Sequence, residues 1–148
     1  MDINIVLNEV LVKLFHNIIS IEERAIRTGE YKDISANDMH VIEAIGTGEP
    51  QNMTTLAKAL SVTTGTLTIA INGLVKKDYV KRVRSEEDRR LVLISLSPKG
   101  KKAFAHHQKF HEDMITSITE RLSEEEKIIL AKALGNALTF FREKSTPS

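Results

Sequence analysis

Between Ile3 and Arg27, apolar residues fall at Ile3, Val6, Leu7, Val10, Leu11, Leu14, Phe15, Ile18, Ile19 and Ile21. Steps of three and four predict one long amphipathic helix, which Gly29 ends. Ser35 followed by Asp38 is a capping pair for a second helix, carrying Met39, Val41, Ile42 and Ile45 up to Gly46 and Gly48. Pro50 then enforces an extended approach to the next element. Asn52 is placed to cap a third helix with Leu56, Ala57 and Leu60. Ser61-Val-Thr63 forms a turn, and Thr63 caps a fourth helix running through Leu74 to Lys77. Asp78 stands where that helix must stop, in a position that favours a left-handed backbone.

Two short apolar runs follow, predicting strands over Val80 to Arg84 and Leu91 to Leu96 with a charged tip between them. Ser97-Pro98 is a cap followed by proline at the first helical position, which starts a fifth helix reaching about Arg121. Ser123-Glu-Glu-Glu126 is a complete capping box for a sixth, with Ile128, Ile129, Leu130, Leu134, Leu138 and Phe141. Ser145 to Ser148 reads as a frayed tail. The pattern therefore predicts a mainly α fold with a small β-wing: a winged helix-turn-helix at residues 35–97, flanked by long helices at 1–34 and 98–144. Those flanking helices carry more apolar stripe than a winged domain can cover. The expected solution is a homodimer in which both chain ends pack against a second copy.

Composition narrows the chemistry. Aromatic residues are only 5% of the 148 and tryptophan is absent, so the core must be aliphatic, which suits helices. With no cysteine there is neither a disulfide nor a thiolate metal site, and a reducing cytoplasm is the expected setting. Neither a secretory leader nor an unbroken apolar run of membrane-spanning length is expected, and no membrane partner. The net charge of +1 says little until it is mapped. From Lys76 to Lys102 ten basic residues face four acidic ones, a local +6, which leaves −5 for the remainder. One basic sector on a near-neutral chain is the footprint of a polyanion site.

A helix-turn-helix followed by an arginine-tipped hairpin is a shape that grips duplex DNA, with a helix in one groove and a wing in the next. Thr63, Thr64, Thr66 and Thr68 crowd hydroxyls around the start of the fourth helix, where backbone N–H groups also favour phosphate. Asn52 and Asn72 complete the polar side of the helical pair. In the hairpin, Asp88 and Arg90 are two apart, on the same side of a strand, so the carboxylate can aim the guanidinium into the narrow minor groove. Arg82, Arg84, Ser85 and Arg89 are the accompanying backbone contacts. An enzyme is not expected: there is no cysteine nucleophile, no glycine-rich phosphate loop and no serine in a strand-to-helix elbow, and nothing calls for a cofactor. A winged module that binds only protein would lack the basic sector's affinity for duplex DNA.

The segments Leu56-Ala-Lys-Ala-Leu60, Val62 to Leu74, Lys76-Lys-Asp-Tyr-Val80, Asp88-Arg-Arg90 and Leu96-Ser-Pro-Lys-Gly100 together resemble the MarR family of bacterial transcription regulators, dimeric winged-helix proteins. The resemblance covers nearly the whole chain, with two departures: Ile69 stands where a basic or polar residue is usual, and Asp78 replaces a usual glycine. Three segments resemble the branch that represses fatty-acid synthesis genes in Gram-positive bacteria. They are Met39 to Gly46, Arg82 to Arg90, and Phe110-His-Glu-Asp-Met114 leading to Ser123-Glu-Glu-Glu126. That likeness implies a repressor of a palindromic operator whose corepressor is a long-chain acyl group on acyl carrier protein. It also implies an apolar tunnel near the first, second and fifth helices.

Histidines leave a second ligand open. His107 and His111 are four apart on a predicted helix, a spacing that lets two imidazoles share one metal. Zinc-sensing members of the family build their site from the regions that hold Glu22, His40, His107 and His111 here. The same histidines could equally contact the acyl group or its carrier, or serve only as polar groups at a helix junction.

Overall fold

The computed structural model describes residues 1–145. Among them six helices and three strands run in the order α1 (Ile3–Thr28), α2 (Ala36–Ile45), β1 (Gln51–Asn52), α3 (Met53–Leu60), α4 (Thr64–Lys76), β2 (Val80–Arg84), β3 (Val92–Leu96), α5 (Pro98–Thr119) and α6 (Glu124–Ser145). The chain divides into two compact units, 1–107 and 108–148; α5 begins in the first and ends in the second. Of the tail expected to fray, Ser145 closes α6, and the remaining three residues lie outside the described residues.

Helix boundaries follow from local hydrogen bonds. Ser35 and Asp38 form a reciprocal capping box on α2. Asn52 accepts the Thr55 amide at 2.8 Å, and Thr63 accepts the Thr66 amide at 3.1 Å. Ser123 and Glu126 cap α6 in the same reciprocal way at 3.0 and 3.1 Å. Each such cap stabilises its helix by roughly 1 kcal/mol. Between α3 and α4 the chain turns through Ser61 at φ 55°, and it leaves α4 through Asp78 at φ 69°. The second is the left-handed stop that its position between helix and strand requires.

The sheet is antiparallel with β3 central, in the order β1-β3-β2. Val80 pairs with Leu96 and Arg84 with Val92, which fixes the wing's register. The sequence pattern does not show β1. This two-residue strand places Gln51 opposite Ile94 and Asn52 opposite Leu93, a long-range pairing without alternation of its own.

The core of the first unit gathers Met39, Ile42, Leu56, Leu67, Ile71, Leu74, Tyr79, Ile94 and Leu96, all fully buried. Burying each aliphatic side chain there is worth roughly 1.5–3 kcal/mol. The start of α5 is tied tightly to the base of the wing. Ser97 Oγ donates to the Asp78 carbonyl at 2.5 Å and accepts the Gly100 amide at 3.0 Å, while the Ser97 amide donates to the Tyr79 carbonyl at 3.0 Å. Gly100 is required there, since a Cβ would stand 2.0 Å from the Tyr79 carbonyl oxygen. Tyr79 in turn donates its hydroxyl to Asp33 Oδ1 at 2.6 Å, which holds the Asp33 carboxyl below its ordinary range.

Among the described residues, the two terminal helices each carry an exposed apolar face. In the first unit α1 buries only Glu22 and Ile26 and exposes, among others, Ile5, Leu7, Val10, Leu14, Phe15 and Ile19. In the second, α6 exposes Ile128, Ile129, Leu134, Leu138, Phe140 and Phe141. By length and mean hydropathy α1 also satisfies the measure of a membrane-crossing helix. A search for an unbroken apolar run misses this, because Asn4, Asn8, Glu9, Lys13 and His16 interrupt the stripe without lowering its average enough.

Candidate nucleic-acid interface

Helices α3 and α4 form the helix-turn-helix. Leu67, Ile71 and Leu74 turn inward, leaving Thr64, Gly65, Thr66, Thr68, Ile69, Asn72, Gly73 and Lys76 on the exposed side of α4. The threonines are not equivalent. Thr63 is spent on the cap: it accepts the Thr66 amide and donates its hydroxyl to Thr66 Oγ1 at 3.0 Å. Thr68 donates to the Thr64 carbonyl at 2.7 Å, which leaves it able only to accept. Thr64 and Thr66 keep their hydroxyl hydrogens and can donate to a phosphate or a base edge. Asn52 caps α3 through its side-chain oxygen and keeps its amide hydrogens.

At the wing, the tip spans residues 85–91. Asp88 and Arg90 lie in this tip rather than on a strand, contrary to the sequence expectation, and the turn itself brings them together. Asp88 Oδ1 accepts both the Arg90 amide and Arg90 Nε at 3.1 Å, and Oδ2 accepts Nη2 at 3.3 Å. Those bonds from Arg90 hold the Asp88 carboxyl below its ordinary range. The guanidinium is aimed yet open, with the Arg90 side chain 90% exposed. Ser85 shapes the loop, its hydroxyl accepting the Asp88 amide at 3.3 Å and its own amide donating to the Leu91 carbonyl at 2.9 Å. Arg84 spends one donor on the Arg89 carbonyl at 2.8 Å and so braces the tip. Arg89 is exposed.

Sequence reasoning did not anticipate the tie between helix and wing. Arg82 Nη1 on β2 donates to Asn72 Oδ1 on α4 at 2.5 Å. The ten-residue separation hides this contact, although both residues were singled out individually.

The chain is 39% identical to Streptococcus pneumoniae FabT, solved in complex with DNA, over 93% of its own length and 96% of that chain, with a TM-score of 0.88. It is 30% identical to Escherichia coli MarR over 86% of its length and 96% of that chain, with a TM-score of 0.64. The chain belongs to the MarR family. The MarR family model itself matches residues 34–92, the helix-turn-helix and most of the wing. Among curated relatives, the Bacillus subtilis transcriptional repressor YetL is 35% identical over 83 residues, 56% of this chain and 50% of YetL. The chain thus spans about half the length of that relative. As a MarR-family protein it is a DNA-binding transcriptional regulator and not an enzyme.

A second cluster lies in the first unit, where α1, α2 and α5 meet. Glu22 Oε1 on α1 receives His40 Nε2 at 2.8 Å and His107 Nε2 at 3.1 Å, and His107 Nε2 also meets Glu43 Oε1 at 2.7 Å. The His107 side chain is 3% exposed. Burial acts to lower its pKa, but hydrogen bonding and charge from Glu43 and Glu22 outweigh burial and raise it above the ordinary histidine value. Within the first unit three of the four residues expected for a metal alternative therefore meet, Glu22, His40 and His107; the fourth, His111, lies one turn further along α5. Glu43 is the member that sequence reasoning missed. The available signal was its position three residues after His40 on one helix.

Proposed function

We propose that this chain is a cytoplasmic, homodimeric repressor of fatty-acid synthesis genes, whose affinity for a palindromic operator is raised by long-chain acyl-acyl carrier protein. The likeness to S. pneumoniae FabT, at 39% identity over 93% of the chain, carries the reading. The segments resembling the fatty-acid branch give it a direction. Residues 35–97 would bind DNA, while 1–34 and 98–144 would form the dimer; the exposed apolar faces of α1 and α6 support that division. Thr64, Thr66, Thr68 and Asn72 would face the major groove, and Asp88 would direct Arg90 into the minor groove. Arg82, Arg84, Ser85 and Arg89 would hold backbone around the wing, as would Asn52 and Thr63 around the helical pair.

On this reading an acyl chain would enter near the open groove of about 510 Å³ between the end of α1 and the start of α2. Ile26, Ile34 and Ala36 supply its apolar lining, with Glu23, Arg27 and Lys32 as its charged groups.

The convergence of His40 and His107 on Glu22 favours a second reading, a zinc-responsive repressor. One carboxylate oxygen and two imidazole nitrogens are donors that suit zinc, and a bound ion would tie α1, α2 and α5 together. Operator binding measured with acyl-loaded and unloaded carrier protein, and separately with zinc or chelator, divides the two. The lipid reading expects tighter binding with the loaded carrier alone and indifference to chelator. A response to zinc that is blind to acyl chains overturns it.

A further inference from the structure

Ile69 is 76% exposed, more than any other large apolar side chain among the described residues except Met1. It lies at the middle of α4's outer face. The other exposed apolar side chains of α1 and α6 sit in long stripes, as a surface covered by another helix would have them. Ile69 has no such company. Its neighbours one turn away on the helix surface are Gly65, Thr66, Asn72 and Gly73.

The flanking glycines leave its sides bare. A Cβ added at Gly73 would meet nothing within 4 Å, and one at Gly65 only Thr63 Oγ1 at 3.9 Å. Ile69 therefore projects from a low, polar helix surface. It is β-branched as well, so in a helix it keeps essentially one χ1 rotamer and has little freedom left to lose on contact. A lone, fixed apolar group ringed by hydroxyls, an amide and bare backbone does not suit a second protein, which would present a patch. It suits a single methyl group set among hydrogen-bonding atoms. In the major groove of DNA, that description fits the C5-methyl of thymine, which distinguishes thymine from cytosine at the same position.

We infer that Ile69 is a specificity-determining residue that reads one thymine methyl in each half-site. Removing a buried methyl costs about fourfold in affinity per contact, and about fifteenfold when both half-sites of a dimeric site lose it. The inference rests on α4 being the helix that enters the major groove.

The test uses the full-length protein and the duplex it selects from a random pool. Each thymine is replaced in turn by deoxyuridine, which deletes the methyl and leaves every hydrogen-bonding group in place. Wild type is expected to lose about fourfold at one thymine per half-site, and Ile69→Ala to bind the unmodified duplex correspondingly more weakly. Ile69→Ala should show no further loss at that thymine, while its response to deoxyuridine elsewhere matches wild type. Equal responses of the two proteins at every thymine overturn the inference, as does unchanged binding by Ile69→Ala. Thr64→Ala, which removes a hydroxyl from the same helix without touching the wing, separates the two levels. If it weakens binding while Ile69→Ala does not, only the role of Ile69 falls. If neither substitution matters, the placement of α4 falls with it. Residue 69 is exposed and alanine is the better helix former, so the variant keeps its fold.

Discussion

Replacing Gly100 by alanine sets a favourable local preference against an unfavourable contact, and the geometry decides between them. Alanine in a helix is worth about 1 kcal/mol over glycine. At this position, however, the new Cβ would lie 2.0 Å from the Tyr79 carbonyl oxygen, 3.1 Å from its carbon and 3.2 Å from Leu96 Cβ. Two of these atoms belong to backbone, so relief requires the first turn of α5 to retreat by roughly 1.5 Å to reach ordinary contact distance. That retreat pulls on the Ser97 amide bond to Tyr79 and the Ser97 hydroxyl bond to Asp78. Each such bond contributes about 1 kcal/mol, and overpacking a filled site costs about 1–3 kcal/mol more. The net expectation is a loss of about 3 kcal/mol. For a chain of this size that lowers Tm by roughly 6–12 °C at fixed protomer concentration. Gly73→Ala is the matched control: it also lies within a helix, nothing stands within 4 Å of its added Cβ, and it should gain up to about 1 kcal/mol. The assay is thermal or urea unfolding of the three proteins side by side. A Gly100→Ala protein as stable as wild type, or two glycine variants shifting in the same direction, would refute the reasoning.

Other predictions concern the wing and the buried histidine. Asp88→Ala should leave Tm unchanged, since the pair it breaks is exposed, but should lower the ratio of operator to random-duplex affinity; fluorescence anisotropy on both duplexes checks this, and an unchanged ratio counts against an aimed Arg90. Combined with Arg90→Ala, Asp88→Ala should cause no further loss of operator affinity, a non-additivity that the same titrations read. His107 has a raised pKa in the fold, so its stabilising contribution is complete below about pH 6.5 and is lost as pH rises through the folded-state value. With chelator present, wild-type Tm should therefore fall across that window more than the Tm of Glu43→Gln, which lacks one of the charges that raise the pKa. Parallel pH profiles would remove Glu43 from that role.

The sequence revealed what depends on neighbours and concealed what depends on distance. Ser35 with Asp38, Ser123 with Glu126, and the caps at Asn52 and Thr63 were legible because donor and acceptor lie within one turn. Asp78 was legible as a helix stop because few non-glycine residues tolerate its φ of 69°. Strand β1 was not, since its two residues acquire a ladder only from β3, some forty positions later. The Asp88–Arg90 pair was anticipated with the wrong geometry: a two-residue spacing suits a strand face and also a side-chain-to-backbone turn, and the turn prevailed. Glu43 was not legible because histidine spacing points along α5, whereas its contact with His107 comes from the packing of α2 against that helix. The exposure of Ile69 follows from the packing of Leu67, Ile71 and Leu74, which fixes which side of α4 faces outward.

The bond from Arg82 to Asn72 makes the protein a caliper. One jaw is α4 and the other is the wing, and a strut of 2.5 Å between their side chains sets the opening. If α4 and the wing bind DNA as proposed, this bond would help to set the separation of their two contact points before a duplex arrives. A base pair inserted between those two points moves them apart by about 3.4 Å and rotates them by about 34°. A loose wing could follow such a change. On the proposed placement a braced wing would resist it, and spacing within each half-site would become part of the recognised message.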